Sequence, residues 1–355
     1  MKRVHIALFI GLLELAACKK GDPEIKTATP TLLQQIDKES DLSLFKAALT
    51  RIRIDTVFSD GGPYTVFAPV DSAMTRAGLT LENINNLDVD SLKSILDYHI
   101  IIGRIGSATL PGFLRKKFVS LHPTGRPFIV KNYYGIFIDG VHVGEGNIGC
   151  ADGTLHKIDR VCFPPPGDLY TVIMRQPNLS FMAEIARANV PMVDRNIGFI
   201  LHVQPDSLYY AENWFDPGPN GVKPFYTDFT LLLPTDQAFL DKGLTLDSIR
   251  TLIARQPDQI GNLLVATVLC GHYFTGDFQG EGGFLINRPN IGAGPVPDGY
   301  TYFFIGASGI GIVDRAVYQG YLGAPFPPTL AGHIVQPDLA ATNGAVQVLD
   351  VLIKF

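Results

Sequence analysis

The sequence predicts an α+β protein made of two tandem copies of one unit. Three observations carry this: a duplicated stretch, the order of helical and strand patterns, and a proline-rich break near the middle. The duplicated stretch is YTVFAPVDSAM at Tyr64–Met74 and FTLLLPTDQAF at Phe229–Phe239, and each copy then reaches Gly-Leu-Thr-Leu, at Gly78 and Gly243. From Tyr64 to Ile84, 9 of 21 positions are identical at a constant shift of 165, so a whole unit is duplicated. In both copies helical patterns come first and short strands follow, which is α+β segregation and not a doubly wound sheet. Pro164-Pro165-Pro166-Gly167 makes a stiff linker. The chain therefore divides into an N-terminal signal (1–17), a tether (18–30), a first unit (31–163), the linker (164–167) and a second unit (168–355).

The elements of the first unit follow from local patterns. Leu32, Leu33 and Ile36 open a short helix, and Asp41 is placed to cap a second one carrying Leu42, Phe45, Ala48 and Leu49 at helical spacing. Thr65-Val66-Phe67 is β-branched and aromatic, too short for a helix, and predicts a buried strand. Pro69 ends that strand because it has no backbone donor. Asp71 is then expected to cap a helix through Met74, which Gly78 stops. Asp90 is placed to cap a further helix whose Leu92, Ile95, Leu96 and His99 share one face. Beyond it, β-rich runs such as Phe128–Val130, Gly135–Ile138 and Val141–Val143 alternate with turns. An Asp152-Gly153 turn would pair Cys150 with Leu155 before the closing strand.

The second unit repeats the order: a helix at Leu169–Met174, another around Asn178–Phe181, the Pro234 stretch, and a helix over Ile260, Leu263, Leu264 and Thr267. The shift between copies is 137 at the second helix, 165 at the signature strand and 191 at the closing strand. The second unit thus holds about 28 extra residues before its signature strand and 26 after it, expected as inserted loops at 189–228 and 279–341.

Composition sets outer bounds. Hydrophobic content of 46% with 18% charge is globular. Net charge is −5, and the one basic cluster is Arg115-Lys116-Lys117, so nucleic acid is not an expected partner. Lys2 and Arg3 precede the apolar run Ile6–Leu13, which is too short to span a bilayer. It closes on Leu15-Ala16-Ala17-Cys18, which resembles the bacterial lipoprotein cleavage box, with Cys18 as the lipidated residue. The mature chain would then be held to a membrane by acyl chains. Lys19 after Cys18 fits delivery to a Gram-negative outer membrane, and the Lys-then-acidic tether resembles Bacteroidetes surface-export signals. Outer and periplasmic faces both stay open. Of Cys150, Cys162 and Cys270 at least one must remain unpaired; a Cys150–Cys162 disulfide competes with buried free thiols.

Thr65–Ala73, then Leu96-Asp97-Tyr98-His99-Ile100, then Asp152-Gly153-Thr154-Leu155-His156-Lys157-Ile158-Asp159-Arg160-Val161 resemble the fasciclin domain, with its two sequence boxes and its Tyr-His element in order. The resemblance implies a wedge-shaped β-sandwich with helices along one side and adhesion or matrix contact as the activity, and Tyr98 and His99 match the segment implicated in receptor adhesion in some animal fasciclin domains. The apolar helical face around His99 argues instead for a structural role, as the strand and cap patterns do for Pro69 and Asp71. In the second copy Pro234 and Asp236 match, whereas the Tyr-His element departs, with His272 in Gly271-His272-Tyr273 as its nearest equivalent.

Metalloprotease, nucleophile-elbow, phosphate-loop and zinc motifs do not occur in the sequence, so no enzyme, cofactor or metal site is expected. The richest candidate for binding is the first insertion, with Tyr209, Tyr210, Trp214, Phe215, Phe225 and Tyr226 around a Pro-Gly turn. Such aromatics suit sugar stacking or a protein hot spot; equally, they could form a private core or pack against the first unit. The leading expectation is a surface lipoprotein that binds a glycan or a surface or matrix protein. The alternatives are an accessory of an outer-membrane TonB-dependent nutrient-uptake complex and, third, a polysaccharide hydrolase.

Overall fold

The computed structural model describes residues 29–59, 62–108, 110–111, 114–132, 135–192, 195–202, 228–265, 267–278, 301–305, 308–313, 316–321 and 329–353. In the first unit helices α1 (Leu32–Lys38), α2 (Ser43–Arg51) and α3 (Asp55–Ser59) precede the signature strand β1 (Tyr64–Pro69). Helices α4 (Asp71–Arg76), α5 (Leu81–Asn86) and α6 (Val89–Tyr98) follow, and then strands β2 (Ile100–Ile102), β3 (Leu114–Lys117), β4 (Phe128–Asn132), β5 (Gly135–Ile138), β6 (Val141–Cys150) and β7 (Gly153–Ile158). They form one seven-stranded curled sheet in the order β2-β1-β7-β6-β5-β4-β3. The β1–β7 pair is parallel, and β6 carries two register shifts, which let one long strand serve both halves of the sheet.

Period-2 alternation along β1 divides the interior. Val66 and Ala68 pack with the helices through Leu32, Phe45, Leu49, Leu92 and Leu96. Phe67, on the opposite face, joins Tyr98, Ile101, Ile129, Ile138 and Ile158 inside the curl.

The second unit repeats this plan with α7 (Leu169–Met174), α8 (Ser180–Ala188), a small hairpin of β8 (Pro191–Met192) and β9 (Arg195–Asn196), and α9 (Ile197–Leu201). Next come β10 (Phe229–Pro234), α10 (Asp236–Leu240), α11 (Leu246–Arg255), α12 (Pro257–Val265), β11 (Val268–Cys270), β12 (Thr301–Ile305), β13 (Ser308–Val313), β14 (Ala316–Tyr321), β15 (Thr329–Ala341) and β16 (Gly344–Leu349). The strand order, β11-β10-β16-β15-β14-β13-β12, is that of the first unit element for element. The fold is therefore α+β in two tandem copies. The stretch 279–341, expected as inserted loops, contains β12 to β15, and glycine interrupts the strand period in β13, β14 and β15. Within 189–228 lie β8, β9 and α9.

Three capping expectations are corrected. Asp71 does not cap its own helix: its carboxylate accepts from Ser43 Oγ (2.7 Å) and the Leu44 N–H (2.8 Å), closing the N-terminus of α2 from another element. Asp41 instead pairs with Lys157 Nζ at 3.0 Å, and Leu42 is the N-cap of α2 with no side-chain bond of its own. Asp88, not Asp90, caps α6 by accepting from the Ser91 N–H. The β6–β7 turn also moves, since Cys150 faces Gly153 and Leu155 faces Ile148. Gly153 opens β7 by pairing with Tyr64 and Cys150, and the position takes glycine because a Cβ there would run into the Tyr64 carbonyl oxygen and Leu32. Thr267 lies beyond the end of α12. Cys150 and Cys162 are buried free thiols.

Candidate functional site

The two units meet along a seam, and local turn chemistry in the first unit builds it. Between β5 and β6 the chain reverses through Asp139 (φ 45°) and Gly140 (φ 74°), two consecutive positive-φ residues of the kind a tight hairpin requires. Gly140 sits against the second unit so closely that an added Cβ would lie 2.6 Å from Phe274 Cβ and 2.8 Å from Asp338 Oδ2. Gly276 answers from the other side, its Cα so near Phe137 that a Cβ would lie 2.6 Å from that ring. Around these contacts Phe128, Val130 and Phe137 of the first unit share one buried cluster with Phe274 and Ala345 of the second. His272 stacks on Phe128 with ring centroids 4.6 Å apart.

Charge pairs bracket this small core. Lys117 Nζ reaches Asp228 Oδ1 at 2.7 Å and donates to the Thr342 carbonyl at 3.1 Å. Burial pushes the Asp228 carboxyl up, yet His272 and Lys117 beside it hold it below its usual range. At the other end Arg160 Nη2 donates to Asp338 Oδ2 at 2.9 Å and to the Asp139 carbonyl at 3.4 Å. Asp139 itself is buried; its oxygens accept from the Phe128 N–H (2.8 Å) and the Tyr98 hydroxyl (2.7 Å). Burial raises its carboxyl to about 6. Burial also pushes the Tyr98 hydroxyl and the Cys162 thiol well above their usual ranges, so neither serves as a nucleophile at neutral pH. Over this cluster opens a cleft of about 510 Å³, lined by Arg76, Arg160, Phe163, Pro166, Gln176 and Asp338 among others.

His99, His122 and His156 of the first unit each accept a backbone N–H. His99 Nε2 accepts from the Cys162 N–H (3.0 Å), so Nδ1 carries the proton and donates to the Ile95 carbonyl (2.8 Å). Burial lowers this imidazole to about 4 against the opposing pull of that carbonyl. His156 Nδ1 accepts from the Asn147 N–H (3.1 Å), and its Nε2–H donates to the Ile105 carbonyl (2.9 Å). His122 stands 3.0 Å from Ser94 Oγ, the spacing of a nucleophile and its base. Its Nδ1, however, accepts from the Gly125 N–H at 2.6 Å, so Nε2 carries the proton and donates to the serine. That tautomer cannot take a proton from Ser94.

Of the residues singled out by sequence, Pro69 and Pro234 end β1 and β10. Asp236 repeats the cross-element cap of Asp71, accepting from Ser180 Oγ (2.8 Å) and the Phe181 N–H (3.0 Å). Tyr98 and His99 are fully buried beneath the seam. His272 is not the counterpart of His99. The His99 carbonyl accepts from the Phe67 N–H, and the matching bond in the second unit runs from the Leu232 N–H to Thr267. Thr267 therefore holds the His99 place, while His272 lies in the seam. Cys18 and the aromatic set Tyr209, Tyr210, Trp214, Phe215, Phe225 and Tyr226 lie outside the described residues. Sequence reasoning missed Asp139, Arg160 and Asp338. Asp139-Gly140 was visible as a turn, but nothing local tells that this turn enters another unit.

Residues 40–164 match the family described as Fasciclin domain. The first unit of this chain is thus similar to a fasciclin domain. Among its relatives, the immunogenic protein MPB70 of Mycobacterium bovis is 29% identical over 154 residues, covering 42% of this chain and 69% of that protein. The cell surface glycolipoprotein MPB83 of Mycobacterium bovis is also 29% identical, over 155 residues, covering 42% of this chain and 60% of that protein. Protein sll1483 of Synechocystis is 26% identical over 163 residues, covering 44% of this chain and 87% of that one. A solved FAS1 domain pair from the insect cell adhesion molecule Fasciclin I aligns with 88% of this chain and 96% of its own length, at 14% identity and a TM-score of 0.31. That the second unit is also fasciclin-like rests on the repeated strand order within this chain. No helix among the described residues is long and apolar enough to cross a membrane.

Proposed function

We propose that this protein is a non-enzymatic fasciclin-domain surface lipoprotein, anchored to the outer membrane through Cys18, that binds a glycan or a surface or matrix protein. The observation that carries the reading is the shared core of the seam, Phe128, Val130 and Phe137 against Phe274 and Ala345. A joint of that kind turns two fasciclin units into one stiff body, which suits transmitting an adhesive load to a lipid anchor better than turnover. The relative named a cell surface glycolipoprotein supports the address, and the hydrogen-bonded neutral histidines support a scaffold in place of a reaction centre.

Binding of the intact protein to a glycan array and to matrix proteins tests the reading, alongside a pull-down from native membranes. Specific retention on either surface is the expected result. Co-purification with an outer-membrane transporter and no glycan or matrix binding would replace it with the accessory role. Trp214, the single tryptophan, reports on the loop: Trp214→Ala should weaken binding by about 2 kcal/mol with unchanged melting. Blue, unquenchable emission from the free protein would exclude the loop as the binding surface.

A further inference from the structure

Resting on that reading, the geometry points to the seam cleft as a binding site for an acidic sugar, a pyranose that bears a carboxylate. Its volume of about 510 Å³ falls within the range of small-ligand sites, which favour domain boundaries. The polar side chains that rim it are donors. Among the described residues Arg160 spends only Nη2, so its Nε and Nη1 are offered to a ligand. Arg76, an exposed side chain, gives Nη2 to the carbonyl of Asp159, the residue just before Arg160, so the two guanidinium groups flank one peptide. Gln176 accepts through Oε1 from Gln336 Nε2 at 2.9 Å, which leaves its amide N–H groups to donate.

The carboxylates on the cleft floor do not oppose an anion there, because their lone pairs are directed inward. Asp338, with a side chain 1% exposed, accepts from the Thr275 N–H and hydroxyl (both 2.7 Å), Gln347 Nε2 (3.1 Å) and Arg160 (2.9 Å). Asp139 spends both oxygens on Phe128 and Tyr98. Beside the guanidinium groups Phe163 is 50% exposed, a large apolar ring next to Pro164 and Pro166 at the lip. A planar guanidinium pairs with a carboxylate through two parallel hydrogen bonds, and an exposed ring offers a stacking face. A sugar acid uses both features at once, its carboxylate on the arginines and its ring face on Phe163. An acidic peptide supplies the carboxylate but no pyranose face to lie on Phe163.

Calorimetry on the full chain with trigalacturonate and its methyl ester tests the site. Trigalacturonate should bind, with the neutral ester at least tenfold weaker. Arg76→Gln should cost about tenfold and Phe163→Ala about fivefold, with melting temperatures unchanged. Equal binding of acid and ester, an Arg76→Gln variant that binds as the parent does, or equal competition by poly-glutamate would overturn the assignment. So would failure to bind trigalacturonate in a protein that still holds another glycan or a matrix protein, an outcome that leaves the adhesive reading standing.

Discussion

The two units share backbone anchors and differ in the side chains that fill them. In both, a threonine on the signature strand clamps the next strand: Thr65 Oγ1 donates to the Gly103 carbonyl and accepts from Ile105, and Thr230 Oγ1 does the same with Gly271 and Tyr273, all within 2.7–2.8 Å. In both, a residue of the β6–β7 turn or its repeat satisfies the first helix, Asp152 Oδ1 for Leu32 and Asn343 Oδ1 for Leu169. At His156 the role is kept without the residue. Gln347 replaces it, accepting from the Asp338 N–H as His156 accepts from Asn147, and donating to the Tyr273 carbonyl as His156 donates to Ile105. The lesson is that this fold selects for satisfied backbone groups and not for histidine chemistry. Where the units diverge in role as well, at His272 and Asp338, the residues serve the seam.

The sharpest way to break the comparison is Gly140→Ala. The site demands positive φ and has no space for a Cβ beside Phe274 and Asp338. Backbone strain and overpacking together should cost about 2–5 kcal/mol. Calorimetry should then show two separate transitions, one per unit, in place of one. A single unshifted transition would mean that the seam contributes little to cooperativity.

Next in size is the contrast between His99 and Thr267, which occupy one structural place. His99→Ala removes the partners of the Ile95 carbonyl and the Cys162 N–H and leaves a cavity, at about 3 kcal/mol. Thr267→Ala removes a smaller side chain and should cost about 1 kcal/mol. Chemical denaturation of both variants checks the ratio, and equal costs would show that the histidine adds nothing beyond the shared backbone bond.

Titration separates the first unit from the seam. His99 has a folded pKa of about 4 against 6.5, so the unfolded chain binds the proton first and stability falls as pH drops through 6.5 toward 4. Asp139 is raised from 3.8 to about 6, so its burial as an anion destabilises the fold at pH 7, and that cost is relieved on acidification. Between pH 7 and 5 the first effect removes about 2 kcal/mol and the second returns about 1 kcal/mol. His156, also lowered by burial, adds to the loss. Asp139→Asn should therefore make the acid-side decline steeper, measured as denaturation midpoints from pH 7 to 5. A shallower decline would reverse the assignment.

How far the fold was legible follows from where each interaction closes. Strand, proline and glycine signals act within a few residues, and β1, β10 and the α+β order were readable from them. Cap assignments failed at Asp41, Asp71 and Asp90 because a carboxylate near a helix start looks local, whereas Asp71 reaches back 27 residues to Leu44. His272 was matched to His99 by residue type, but three residues added before β11 move the register so that Thr267 falls in that place. The seam closes across contacts such as Arg160 with Asp338, 178 residues apart, and no sequence period marks it.

The smallest effect tests the shared part of the comparison directly. Asp71 and Asp236 each accept from a serine hydroxyl and a neighbouring N–H at the start of a helix, with distances that agree within 0.2 Å. Neither helix has a side-chain bond from its own N-cap, Leu42 or Leu179, so each depends on the carboxylate supplied from the signature stretch. Removing such a cap costs about 1 kcal/mol, and a negative charge near a helix N-terminus adds a few tenths that salt screens. Asp71→Ala and Asp236→Ala should therefore destabilise their units by about the same 1 kcal/mol, each with the same weak salt dependence. Asp71→Asn should recover most of the loss, since the amide oxygen still accepts one bond. Unequal costs would locate a second role for one of the two carboxylates, and hydrogen exchange at Leu44 and Phe181 would show which helix start has opened.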